Sequence, residues 1–175
     1  LINFGINEVN VYLEDEKKDE TQAIELLKSN FIKTQKVLIV NEEIRSISTI
    51  AKVLVEAGFK EENIYANTNP ELTVKYFQFK KPAYLFINCN SDIDKWTEIV
   101  KKLKNSENTH VFITTDLNNY KELEEKFSFR KIYTVLSPLI SSQIKSLILH
   151  CTEQDFCKLL KNEKNENVFE MKIKI

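Results

Sequence analysis

The chain has 175 residues, 42% hydrophobic and 29% charged, with a formal net charge of −1. That suits one globular domain with a full core and short appendages, and makes no electrostatic case for nucleic acid or an anionic membrane as partner. No apolar run approaches the roughly 18–20 residues that span a bilayer, and no signal peptide is expected. Cys89, Cys151 and Cys157 are an odd set without framework spacing, which fits a reducing cytoplasm. Opening on Leu1 rather than Met, the chain is expected to be a fragment or a trimmed form.

Residues 1–35 read as an extension. Positions 6–14 alternate, with Val9, Val11 and Leu13 opposing Asn10 and Glu14, which predicts a strand. A charged joint follows at 14–20, then a short helix over 21–31 through Ile24, Leu27 and Phe31. From residue 36 the periodicity switches repeatedly. The run "KVLIV" (36–40) predicts a buried strand. Ile44, Ile47, Ala51, Leu54 and Val55 predict one helix face, with Gly58 as the stop. "NIYAN" (63–67) is a weaker strand. "NPEL" (69–72) supplies an N-cap and a proline for a helix to about Phe79. "AYLFIN" (83–88) is a strong strand. "SDID" (91–94) resembles a capping box and opens a helix whose Trp96, Ile99, Val100 and Leu103 share a face. "HVFIT" (110–114) is a strand, Tyr120, Leu123 and Phe127 mark a helix, and "KIYTVL" (131–136) is the fifth strand. A long last helix runs from about Ser141 to Lys161. Residues 167–175 alternate again, Phe169, Met171, Ile173 and Ile175 against Glu170, Lys172 and Lys174, which predicts a terminal strand.

Five β–α units in succession predict an α/β three-layer sandwich of the flavodoxin-like (βα)5 kind, with a five-stranded parallel sheet and β extensions at both ends. The boundaries are 1–35 for the extension, 36–150 for the domain, and 151–175 for the end of the last helix and the terminal strand. A site should lie where the strands end: Asn41, Glu42 and Glu43 after the first, Asn88 after the third, Thr114 and Thr115 after the fourth, Ser137 and Pro138 after the fifth.

These strand ends resemble those of a response-regulator receiver domain. "KVLIVNEEIRSISTIAKVLVEAGF" (36–59) is similar to the family's opening, whose first strand ends in paired acids. "PAYLFINCNSDIDKW" (82–96) resembles its third strand, where an Asp accepts phosphate. "HVFITT" (110–115) and "YTVLSP" (133–138) resemble the strands that end in Thr or Ser and in Lys-Pro. The spacing from Asn88 to Thr115 to Ser137 is also the family's. The resemblance covers about 36–150 and implies a phosphoryl-transfer site, yet most of its chemistry is replaced. Asn88 stands at the phosphoacceptor position, and an amide cannot form an acyl phosphate. Asn41 and Glu42 stand where two acids would hold Mg²⁺. Ser137 stands where a lysine would neutralise the phosphoryl group. Thr115 persists. Thr134 stands where the family has a coupling aromatic, with Tyr133 one residue away.

Simpler readings stand beside these. Glu42 and Glu43 suit the positive end of a helix dipole, Asn88 can be an ordinary strand cap, and Thr114 and Thr115 are good β-formers. His150 and Cys151 are adjacent and Cys157 lies six residues on, with no CxxC or HxxxH, so no metal is expected. With only Gly5 and Gly58, no glycine-rich phosphate loop can be built and no cofactor is expected.

The expectation is therefore a degenerate receiver, or pseudo-receiver, acting in the bacterial cytoplasm without catalysis. It would meet a protein partner or a second copy through the last helix and the terminal strands. One alternative is a flavodoxin-like enzyme or small-ligand domain using Glu42, Asn88, Thr115 and Ser137 as a polar pocket. Another is a structural assembly domain of a larger machine.

Overall fold

The computed structural model describes the backbone of residues 19–174 apart from 91, 104 and 105, and side chains only as far as residue 162. Helix α1 is described over 19–34. It is followed by β1 (Val37–Val40), α2 (Ile44–Glu56), β2 (Ile64–Asn67), α3 (Thr73–Lys80) and β3 (Tyr84–Asn88). Then come α4 (Ile93–Lys101), β4 (His110–Thr115), α5 (Tyr120–Lys126), β5 (Ile132–Leu136) and α6 (Ser141–Lys174). The five strands form one parallel sheet in the order β2-β1-β3-β4-β5, as the alternation of strand and helix patterns predicts.

Strand parity explains the two cores. Leu38, Val40, Leu85, Ile87, Val111 and Ile113 face α3, α4 and α5, where Phe77, Trp96, Val100 and Leu123 meet them. Val37, Ile39, Tyr84, Phe86, Phe112 and Val135 face α1, α2 and α6 through Ile32, Leu54, Ile144 and Ile148. Because both faces are covered, β1 and the first four residues of β3 are buried without a polar alternation. Phe86 stacks on Phe112 at 4.5 Å, and Phe112 on Tyr133 at 5.1 Å, which carries one aromatic seam across three strands.

Local signals act as the residue types require. Gly58 ends α2 at φ +107°. Its N–H donates to the Val55 carbonyl, and that of Phe59 to the Leu54 carbonyl, so two end carbonyls are capped around a left-handed residue. Asn69 accepts from the Glu71 amide ahead of Pro70, as its N-cap pattern predicts. The capping box does not form as expected. Asp92 precedes α4 at φ 56° with no side-chain cap, and Ser91 lies outside the described residues. On α2, Ile44 and Val55 are largely exposed, and the face that packs inward is Ile47, Ile50, Ala51, Val53 and Leu54.

The carboxyl-terminal strand expected over 167–175 is corrected. α6 continues as one helix to Lys174, so its 34 residues reach about 50 Å, against roughly 13–20 Å for the strands. The alternating pattern lost because a strand needs a paired edge, whereas extending an existing helix needs no new nucleus. No Pro or Gly interrupts residues 141–174. The strand expected over 6–14 lies outside the described residues. Helix α1 flanks the domain beside α6. Lys28 pairs with Glu153 and Phe31 packs on Phe156 at 5.7 Å. The contacts are three residues apart on each helix, so the two run in the same direction. Phe156 is thereby buried by the chain's own extension, while Leu159 keeps about 39% of its surface in solvent.

Candidate functional site

The carboxyl ends of β1 and β3 enclose a cavity of about 50 Å³, walled by Asn41, Glu42, Asn88, Asn90, Asp92 and Lys95, with Pro70 and Trp96 completing it. The parallel order places it at the point where the chain leaves β1 for β2 on one side and β3 on the other. Of the residues singled out from sequence, the fold brings Asn41, Glu42 and Asn88 together here. Glu43, Thr115, Ser137 and Pro138 are not among the walls.

Each has a local reason. Asn41 is buried, and its Oδ1 accepts from the Glu43 amide at 2.9 Å, which starts α2 through an Asx turn. Glu43 is the N-cap residue of α2, but its carboxylate takes the Ser46 hydroxyl at 3.1 Å instead of a backbone amide. Glu42 is exposed at the rim. Asn88 is half-buried, and its Oδ1 accepts from the Thr114 hydroxyl at 3.0 Å. Thr115 is fully buried and donates to the Cys89 carbonyl at 3.0 Å. The register sets this division: Asn88 pairs with Thr114, so Thr114 reaches the asparagine while Thr115 lies one residue beyond β3. Ser137 is exposed and tied through its amide to the Thr115 carbonyl at 2.8 Å, and the Ser137–Pro138 peptide is cis.

Lys95 and Asp92 were not found from sequence. Lys95 bonds Glu71 at 2.7 Å, and that bond raises its pKa against desolvation, with the Glu71, Asp92 and Glu42 charges adding to it. It is the cation of this rim, reaching from α4 instead of β5. Its only sequence signal is its place in the first turn of the helix that follows β3. Cys89, beside Asn88, is buried, and burial with the Asp92 and Glu122 charges pushes its thiol up to about 12, so it is no nucleophile.

The receiver resemblance implies Mg²⁺, and the residues present do not fit it. A hard divalent ion wants several carboxylate oxygens. Here Asn41 is engaged with the Glu43 amide, Lys95 brings positive charge, and among the described residues no three of His, Cys, Asp and Glu converge to hold a metal. A cavity of about 50 Å³ takes a water or two, far below the roughly 300–1,000 Å³ of small-ligand sites.

The amino-terminal end of the sheet is built differently. Tyr84 donates its hydroxyl to Asp155 of α6 at 3.1 Å, and His110 Nε2 lies 2.9 Å from both Asp155 oxygens. The His110 ring stacks on Tyr84 at 5.2 Å. Burial alone would lower the His110 pKa, but the bond to Asp155 and the contact with Cys151 raise it to about 9, so the pair is ionic at neutral pH. The Tyr84 hydroxyl is pushed up by burial and by Asp155. Nearby, Arg130 bonds the Ser106 hydroxyl and the Ser106 and Thr109 carbonyls, tying the loop before β4 to the turn before β5.

No protein-family model matches the chain, and no curated protein matches it. Solved structures do. A two-component transcriptional regulator AraC from Clostridium phytofermentans is 17% identical at TM-score 0.59, over 69% of this chain and 97% of that one. A response-regulator receiver domain protein from Clostridium thermocellum is 16% identical at TM-score 0.56, over 72% and 98%. NtrX from Brucella abortus is 13% identical at TM-score 0.57; the match takes 73% of this chain and only 28% of that one. At such identities the likeness establishes the fold, that of receiver domains. Among the described residues no helix is long and apolar enough to cross a membrane.

Proposed function

We propose that this chain is a pseudo-receiver: a receiver fold without phosphoryl transfer, acting as a protein-interaction or dimerisation module in bacterial cytoplasmic signalling. The observation that carries this is Asn88. It sits at the carboxyl end of β3 as a neutral amide whose oxygen already holds the Thr114 hydroxyl. Aspartyl phosphorylation needs a carboxylate nucleophile, acids to hold a divalent ion, and a cation for the phosphoryl oxygens. Here the first is absent, the second is reduced by Asn41, and β5 supplies no cation, since Ser137 lies outside the cavity and the rim's Lys95 is bonded to Glu71. The size of this cavity also argues against a small-ligand site at the rim.

Surface chemistry supports an interaction role. Leu117 just after β4 (76% exposed), Leu136 at the end of β5 (41%) and Ile140 just before α6 (46%) leave apolar side chains in solvent. The partner is a second copy or another signalling protein.

The test is intact mass after incubation with acetyl phosphate and Mg²⁺. The expected spectrum holds the unmodified mass alone. A hydroxylamine-labile phosphate adduct would overturn the reading. Asn88→Asp alone should stay unmodified too, because Ser137 and Asn41 remain.

A further inference from the structure

A broad concavity lies at the end of the sheet opposite the receiver rim. It is a solvent-open groove of about 1220 Å³ between the middle of α6 and the loops that lead into β3, β4 and β5. Four cations stand on its walls. Lys81 lies before β3, Arg130 and Lys131 before β5, and Lys158 on α6. None of the four has an ion-pair partner among the described residues, although the chain as a whole carries a net charge of −1. The acids on the walls are Glu107 and Asp155, and Asp155 is already neutralised by His110. The groove is therefore locally positive on a slightly acidic protein.

We propose that this groove docks an acidic polypeptide segment of a partner protein, one carrying an aromatic or aliphatic anchor among its carboxylates. The spread of the charges favours a chain over a compact anion. A phosphate-sized ligand wants donors converging on one point, but these cations come from three separate parts of the fold. Arg130 is moreover held by the Ser106 and Thr109 carbonyls. Gln35, Gln78, Asn108 and Gln154 on the same walls can both donate to and accept from a peptide backbone. Phe129, 47% exposed, and Leu159, 39% exposed, leave apolar surface for the anchor. Charge complementarity of this kind sets partner choice and association rate. Because Asp155 belongs both to the groove wall and to the bond with His110 and Tyr84, an occupant would touch the latch that fixes α6 to the sheet. The proposal stands apart from the reading of the Asn88 rim, and either can fail alone.

The test titrates the full chain into a fluorescein-labelled twelve-residue peptide of Glu and Asp with one central Phe, followed by anisotropy. Parallel probes are the same peptide with Lys for each acid, tripolyphosphate as competitor, and a free peptide of this chain's residues 6–17. The acidic probe should bind, more weakly with rising salt, and the lysine probe should not. Lys131→Glu with Lys158→Glu should weaken binding about tenfold or more, ~1.4 kcal/mol. Lys52→Glu on α2, outside the groove, should leave it unchanged. No binding, or binding indifferent to the double reversal, overturns the proposal. Displacement by tripolyphosphate at equal charge would make this a small-anion site. Tighter binding of the 6–17 peptide would make the occupant the chain itself; each of these also overturns it.

Discussion

The two ends of the sheet are made from the same strands and differ in what they ask of their polar groups. At the carboxyl end the polar groups are satisfied locally: Asn41 accepts from the Glu43 amide, Thr114 holds Asn88, Thr115 holds the Cys89 carbonyl, and a cavity of about 50 Å³ is left. At the amino end Asp155 is bonded across 45 residues of chain to His110 and across 71 to Tyr84, and cations with no ion-pair partner among the described residues line a groove of about 1220 Å³. The same sheet thus closes its polar groups locally at one rim and across long stretches of chain at the other.

The largest expected effect lies at the amino end. Asp155→Ala takes from His110 the carboxylate that raises its pKa against burial, and leaves the Tyr84 hydroxyl without its acceptor. It should cost about 2 kcal/mol in urea unfolding, below the roughly 3–5 kcal/mol of a fully buried pair because the Asp155 side chain keeps 29% of its surface in solvent. A pH series probes the same bond. The folded His110 pKa of about 9 lies above its ordinary value of 6.5, so the stabilisation is complete below about pH 6.5 and is lost as pH rises through about 9. Asp155→Asn should flatten that decline, and an unchanged decline would contradict the assignment.

Effects at the carboxyl end should be smaller. Asn88→Ala removes one hydrogen bond to Thr114 and should cost about 1 kcal/mol by the same measurement. Glu42→Gln, at an exposed position, should stay within about 0.5 kcal/mol. Neither the native chain nor that variant should gain melting temperature from millimolar Mg²⁺, whereas a bound ion at a hundredfold excess over Kd would add about 2.7 kcal/mol. A native shift that Glu42→Gln abolishes would restore a metal site. The smallest test is chemical: a thiol reagent should modify exposed Cys157 rapidly and leave buried Cys89 and Cys151 intact until unfolding.

The sheet was legible because β1, β3 and β4 are short apolar runs rich in β-branched or aromatic residues and the segments between them are amphipathic at helical spacing. Asn41, Glu42 and Asn88 were legible as a group because parallel strands must end on one rim. Their hydrogen bonds were not, since the choice between Thr114 and Thr115 depends on a one-residue register that a pattern of apolar residues leaves open. The end of α6 misled because period two in Phe169, Met171 and Ile173 is a local signal, and continuation of an existing helix is not. The bond of Asp155 to His110 and Tyr84 had no sequence signal. It joins three elements at positions that carry no motif.

The most direct measurement is an amide ¹H–¹⁵N spectrum of the chain titrated with Mg²⁺ and then with beryllofluoride, a mimic of an aspartyl-bound phosphoryl group. The account predicts that the amides of Asn88, Thr114, Thr115 and Ser137 keep their positions throughout. Saturable Mg²⁺-dependent shifts at those four residues would contradict it.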